Sequence, residues 1–134
     1  MSKPFQPNPI VAPVIEPGTE HFWEQAKAGQ LTVKSCQSCG KVHWYPRTLC
    51  PFCFGETEFK PASGKGKIYS FSVMSRGNPN PYCIAYVTLE EGVTMMTQIV
   101  DCDLDDVHIG QAVEVVFKPS EGEDTPPVPM FKPV

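Results

Sequence analysis

The chain has 134 residues, a hydrophobic fraction of 41% and a formal charge of -4. That length and apolar content suit one compact unit, or a small metal-stapled module joined to a small barrel, and exclude a chain that is disordered throughout. The acidic balance argues against a protein that coats nucleic acid, which would need clustered Lys and Arg, and no segment reaches the ~20 apolar residues of a membrane span.

The first residues, Met1-Ser2-Lys3-Pro4-Phe5, run into a proline-rich stretch rather than an apolar signal region, so a cytoplasmic protein is expected. In that compartment paired CxxC motifs read as metal ligands rather than disulfides. Residues 1–17 carry Pro4, Pro7, Pro9, Pro13 and Pro17. Proline fixes φ and removes backbone donors, so this arm is extended. It is either a solvated tail or, given Phe5, Ile10, Val11, Val14 and Ile15, an arm that lies on a partner.

Thr19 stands where a cap for a short helix over residues 20–28 is expected, with Gly29 as the stop. Phe22, Trp23 and Ala26 share one face. So short a helix does not persist alone, so the stripe must dock. The chain's own cysteine module is the expected dock, and a partner surface is the alternative.

The cysteine module spans residues 31–63, with short strands expected at 31–34, 42–45 and 56–60. The remainder reads as β-rich, with strands at 67–74, 83–89, 93–100 and 113–117 and a last short strand around Met130 and Phe131. Glu90-Glu91-Gly92 reads as a turn, and residues 103–107 as a turn or a single helical turn. Five short strands with this punctuation suggest a small Greek-key barrel of the OB type. Pro126, Pro127, Pro129 and Pro133 place the last strand on a sheet edge. The expected fold is therefore mainly β. An arm and short helix occupy residues 1–30, a rubredoxin-like zinc ribbon 31–63 and a five-stranded OB barrel 64–134.

Cys36-Gln37-Ser38-Cys39-Gly40 is followed by Cys50-Pro51-Phe52-Cys53, with ten residues between Cys39 and Cys50. Two residues between thiols let the backbone fold back so that both sulfurs face one point. Gly40 and Gly55 are read as supplying the φ that such turns need. Two such knuckles complete a tetrahedral shell of four thiolates from Cys36, Cys39, Cys50 and Cys53. Zinc accepts that shell, and a closed shell leaves no place for water, so the site is structural. Iron of the rubredoxin type, with electron transfer, is the rival. Cys83 and Cys102 read as small buried hydrophobes. His108 is near Cys102 in sequence, but a catalytic pair would need contact. His43 is expected to pack or face solvent rather than ligate, and His21 to be exposed.

Several segments together resemble a known family. They are Phe22-Trp23, Gly29-Gln30-Leu31, the two knuckles with Tyr45-Pro46-Arg47 leading into the second, and Ser63-Gly64-Lys65-Gly66-Lys67-Ile68. Pro81-Tyr82, Glu91-Gly92, Ile99-Val100-Asp101-Cys102-Asp103, Ile109-Gly110 and Val113-Glu114-Val115-Val116-Phe117 extend the resemblance to about Phe131. The family is the zinc-ribbon/OB-fold group catalogued as domain of unknown function thirty-five. Tyr45 departs from it where a second proline is frequent, and Lys132 where arginine is common. The resemblance implies a non-catalytic subunit of a thiolase-like acyltransferase complex, with a CoA-thioester aldolase as the alternative partner. The ribbon would position the partner and the barrel would help to receive acyl-CoA. On that reading Lys65, Lys67 and Arg76 are candidates for the CoA phosphates. A binder of single-stranded nucleic acid is the contrasting class, suggested by Tyr69, Phe71, Tyr82 and Tyr86 on barrel strands and opposed by the acidic charge.

Overall fold

A computed structural model describes residues 10–75 and 80–134. The elements, in chain order, are α1 (Glu20–Lys27), β1 (Thr32–Cys36), β2 (Val42–His43), β3 (Thr57–Pro61), β4 (Lys65–Met74), β5 (Tyr82–Leu89), β6 (Thr94–Ile99), β7 (Ala112–Lys118) and β8 (Val128–Pro133). Strands β1–β3 form a small antiparallel sheet in the order β2-β1-β3, and β4–β8 close into a barrel in the order β4-β5-β6-β8-β7. The fold is mainly β, with a cysteine-rich ribbon and a closed five-stranded barrel consistent with an OB fold.

Helix α1 forms where its pattern places it, but its start differs from expectation. Thr19 occupies the N-cap position without a side-chain cap bond. Its hydroxyl instead donates to the Glu16 carbonyl at 2.7 Å, and the Gly18 amide donates to the Glu20 carboxylate at 2.9 Å. Phe22, Trp23 and Ala26 are all buried. Phe22 packs edge-on against Trp23 and Trp44 at 4.8 and 5.0 Å and tilts onto Tyr45 at 6.3 Å. The helix therefore docks on the chain's own ribbon, and its aromatic stripe is not a free partner surface.

Behind the helix, β1 is buried along its whole length because β2 and β3 flank it. The apolar cluster runs without a break from Phe22, Trp23 and Ala26 through Leu31, Val33 and Ala62 into Ile68, Val87, Ile99, Val113 and Phe131 of the barrel. The Gln30 amide ties the junction, its Nε2 donating to the carbonyls of Leu31 and Ala62. A bulge interrupts β4 between Ile68 and Ser70 and leaves Tyr69 exposed.

The last strand is not an edge strand. β8 runs antiparallel to β7 and meets β6 in a parallel bridge at Ile99 and Phe131. The Val100 amide donates to the Phe131 carbonyl, and the Thr97 hydroxyl to the Pro129 carbonyl. Residues 129, 131 and 133 thus turn their backbone polar groups toward β6, where the ladder is one bridge long. The donors missing at Pro129 and Pro133 fall where little pairing is required, while Met130 and Lys132 face β7.

Candidate metal centre

The two CxxC turns face each other across the end of the ribbon sheet and repeat one hydrogen-bond scheme. In the first, the Cys36 amide donates to the Lys41 carbonyl and the Gly40 amide to the Cys36 carbonyl. In the second, the Cys50 amide donates to the Gly55 carbonyl and the Phe54 amide to the Cys50 carbonyl. Backbone amides also point at sulfur. Those of Ser38 and Cys39 donate to Cys36 Sγ at 3.3 Å, and that of Phe52 donates to Cys50 Sγ at 3.4 Å. Thr57 steadies the second turn, its hydroxyl lying 3.0 and 2.9 Å from the carbonyls of Arg47 and Thr48.

Gly40 has φ +74°, as expected, but Gly55 is not in the left-handed region. Its place there is taken by Phe54, at φ +62°. Gly55 is required for close approach instead: a Cβ on it would stand 2.8 Å from Ser38 Oγ and 3.2 Å from Cys36 Sγ. The glycine lets one knuckle lie against the other.

The four sulfurs of Cys36, Cys39, Cys50 and Cys53 all lie within 4.8 Å of one another. Two of the pairs, Cys36 with Cys53 and Cys39 with Cys50, are 3.4 and 3.7 Å apart. These are not disulfide distances. A tetrahedron with metal–sulfur bonds of ~2.3 Å has edges of about 3.8 Å, so the donor set fits one tetrahedral ion. The charges point the same way. The Cys39 amide, helped by that of Ser38 and by the Cys53 thiol, holds Cys36 down to about 6. At Cys53 the Gly55 amide favours the thiolate, but the adjoining sulfurs and burial push the thiol up to about 12. Four crowded thiols do not all ionise without a cation among them.

The remaining sequence candidates separate cleanly. His43 is buried on β2, outside the cysteine cluster, with neither ring nitrogen hydrogen-bonded. His21 is exposed and lies against Phe59. Cys83 is fully buried, and burial, then the neighbouring Cys102, raises it to about 11. Burial and Asp103, Asp101 and Asp106 raise Cys102 too. His108 Nδ1 lies 3.1 Å from the Asp106 carbonyl, so it is engaged with its own turn. Neither thiol is an activated nucleophile.

Lys65 and Lys67 are exposed on β4 and border a cleft of about 440 Å³. Its other walls are Gly66, Thr88, Leu89, Glu90, Ala112, Val113 and Val134, so one carboxylate shares the cleft with the two lysines. Neither lysine enters an ion pair among the described residues. Arg76 lies outside the described residues, as do the first nine residues of the arm. Sequence reasoning passed over the exposed Leu49, Phe52 and Phe54 around the second knuckle, because apolar residues beside metal ligands read as packing.

The fold and the cysteine cluster define a class: a four-cysteine ribbon joined through a shared core to an OB barrel. Residues 23–59 match the rubredoxin-like zinc ribbon domain of ChsH2, and residues 59–118 match the C-terminal OB-fold domain of ChsH2. The chain is 44% identical over 103 residues to a DUF35 domain-containing scaffold protein of Methanothermobacter thermautotrophicus, spanning 70% of this chain and 77% of that one. It is 30% identical over 102 residues to the benzoylsuccinyl-CoA thiolase subunit BbsA of Geobacter metallireducens, covering 72% of this chain and 68% of that one. Among solved structures, the Ltp2-ChsH2(DUF35) aldolase superposes with a TM-score of 0.76 at 28% identity, over 90% of this chain and 98% of the matched one. The chain belongs to the DUF35 zinc-ribbon/OB-fold family.

Proposed function

We propose that this chain is a non-catalytic accessory subunit of a cytoplasmic thiolase-type enzyme acting on CoA thioesters. The observation that carries the reading is the similarity along nearly the whole chain to the DUF35 component of a solved aldolase complex, beside similarity to a thiolase subunit. Burial, which raises the pKa of Cys83 and of Cys102, supports it, because neither thiol is then favoured as a nucleophile. An aldolase is the second reading for that partner, favoured by the same structural neighbour.

In this reading Cys36, Cys39, Cys50 and Cys53 hold one structural zinc ion, and residues 1–63 serve assembly. The barrel, residues 64–134, meets the acyl-CoA. Lys65 and Lys67, with Arg76, attract the CoA phosphates, and the apolar cleft between the lysines and Val113 suits the narrow pantetheine arm.

The test is affinity purification of the tagged chain from its source organism, followed by identification of co-eluting proteins. A thiolase-fold subunit is expected, and an aldolase would select the second reading. The isolated chain should show no thiolysis or condensation of acyl-CoA. With the complex in hand, Lys65→Glu/Lys67→Glu should raise KM for acyl-CoA without dissociating the subunits. Co-elution of nucleic acid and no CoA-thioester enzyme would refute the proposal.

A further inference from the structure

The two knuckles are internal controls for one another. Gly40 and Phe54 occupy the same place, each donating its amide to the carbonyl of the first cysteine of its turn, at 3.0 and 2.9 Å. Both are left-handed, at φ +74° and +62°. Glycine adopts that conformation without strain, whereas a bulky L-residue there is an outlier. Phe54 gains little packing in return, since the residue is 77% exposed. Phe52 and Leu49 on the same turn are 58% and 50% exposed. Strain combined with apolar exposure, at a turn whose twin uses glycine, marks a selected feature.

We infer that the second knuckle is an apolar plug, with Phe54 at its tip, that inserts into a concave apolar pocket of a different protein. This rests on the accessory-subunit reading and names the part of the chain that anchors the catalytic subunit. Weighted by exposure, the three side chains offer about 350 Å². Two copies meeting through this patch would bury about 700 Å², below the ~1,000 Å² that a specific interface needs. A contact limited to these three side chains is therefore too small, and the occupant is the CoA-thioester enzyme subunit of the accessory reading, as the Ltp2-ChsH2(DUF35) aldolase neighbour suggests, with the contact continuing past the plug. The chain supplies such a continuation. Gly18 lies against Thr48, so close that a Cβ on it would stand 2.9 Å from the Thr48 hydroxyl, and exposed Val14 and Ile15 lead into that contact. A plug held rigid by the knuckle loses little entropy on docking, which suits a binding anchor.

The experiment compares the metal-loaded full chain with Phe54→Asn and Phe52→Ala/Phe54→Asn. Asparagine tolerates the left-handed region, so both variants should keep their metal, and Phe54→Asn should melt at the same temperature or higher. Calorimetry against the purified CoA-thioester enzyme subunit should show at least tenfold weaker binding for Phe54→Asn, and weaker still for the double variant. Ile109→Ala, which removes an exposed apolar side chain elsewhere, should bind as the wild type does. A clear fall in melting temperature on Phe54→Asn would mean that Phe54 packs within the chain, which overturns the inference. If the wild type binds and Phe54→Asn binds equally, the plug is wrong and the accessory reading stands. If the wild type binds no such subunit, both fail. A Phe54-dependent dimer in sedimentation velocity, or Phe54-dependent sedimentation with phosphatidylcholine–phosphatidylserine vesicles, would also overturn it.

Discussion

Replacing Phe22 by alanine tests whether helix, ribbon and barrel share one core. The side chain is 1% exposed and meets Trp23 and Trp44 at 4.8 and 5.0 Å. Truncating a buried Phe costs about 3–5 kcal/mol, and the two edge-on aromatic contacts place this site at about 4. For a chain of 134 residues that corresponds to a fall in Tm of about 12–16 °C. The assay is thermal and urea unfolding of zinc-loaded protein, followed by circular dichroism and by zinc release to a chromogenic chelator. Because the apolar cluster is continuous, both signals should move together and by the same amount. A loss below about 1 kcal/mol, or a ribbon transition that shifts while the barrel transition stays, would refute the shared core.

Further expectations concern the ribbon. Elemental analysis should find one zinc per chain, and Cys39→Ser or Cys53→Ser should lose the metal and much of the stability, since a closed thiolate site contributes folding free energy directly; full iron occupancy would contradict this. Gly55→Ala should destabilise by about 1–3 kcal/mol, because the new methyl enters the gap between the knuckles, and unchanged unfolding would refute that packing. Burial, with Lys34 and Arg47 nearby, lowers the pKa of His43 below its ordinary value. The unfolded chain therefore binds the proton more readily, so stability is complete above pH ~6.5 and declines as pH falls below it. His43→Phe should lose that part of the decline, and identical pH profiles by differential scanning calorimetry would count against it.

The sequence by itself determined most of the elements and which four cysteines come together as candidate metal donors. CxxC spacing dictates sulfur convergence because it acts within a few residues, and the period-two runs of the barrel are likewise local. The resemblance to the family came from the same short segments. Tertiary structure alone decided three matters, each involving contacts distant in sequence. The Phe22 and Trp23 stripe faces inward because Trp44 and the ribbon lie beneath it. The proline-rich last strand closes the barrel because the donors it lacks face the one-bridge side. The left-handed position of the second knuckle belongs to Phe54 rather than Gly55, because Gly55 is needed where the two turns touch. A glycine is visible in a sequence, but whether it relieves a torsion or a contact depends on what stands opposite it, and here that is Ser38 and Cys36 of the other knuckle.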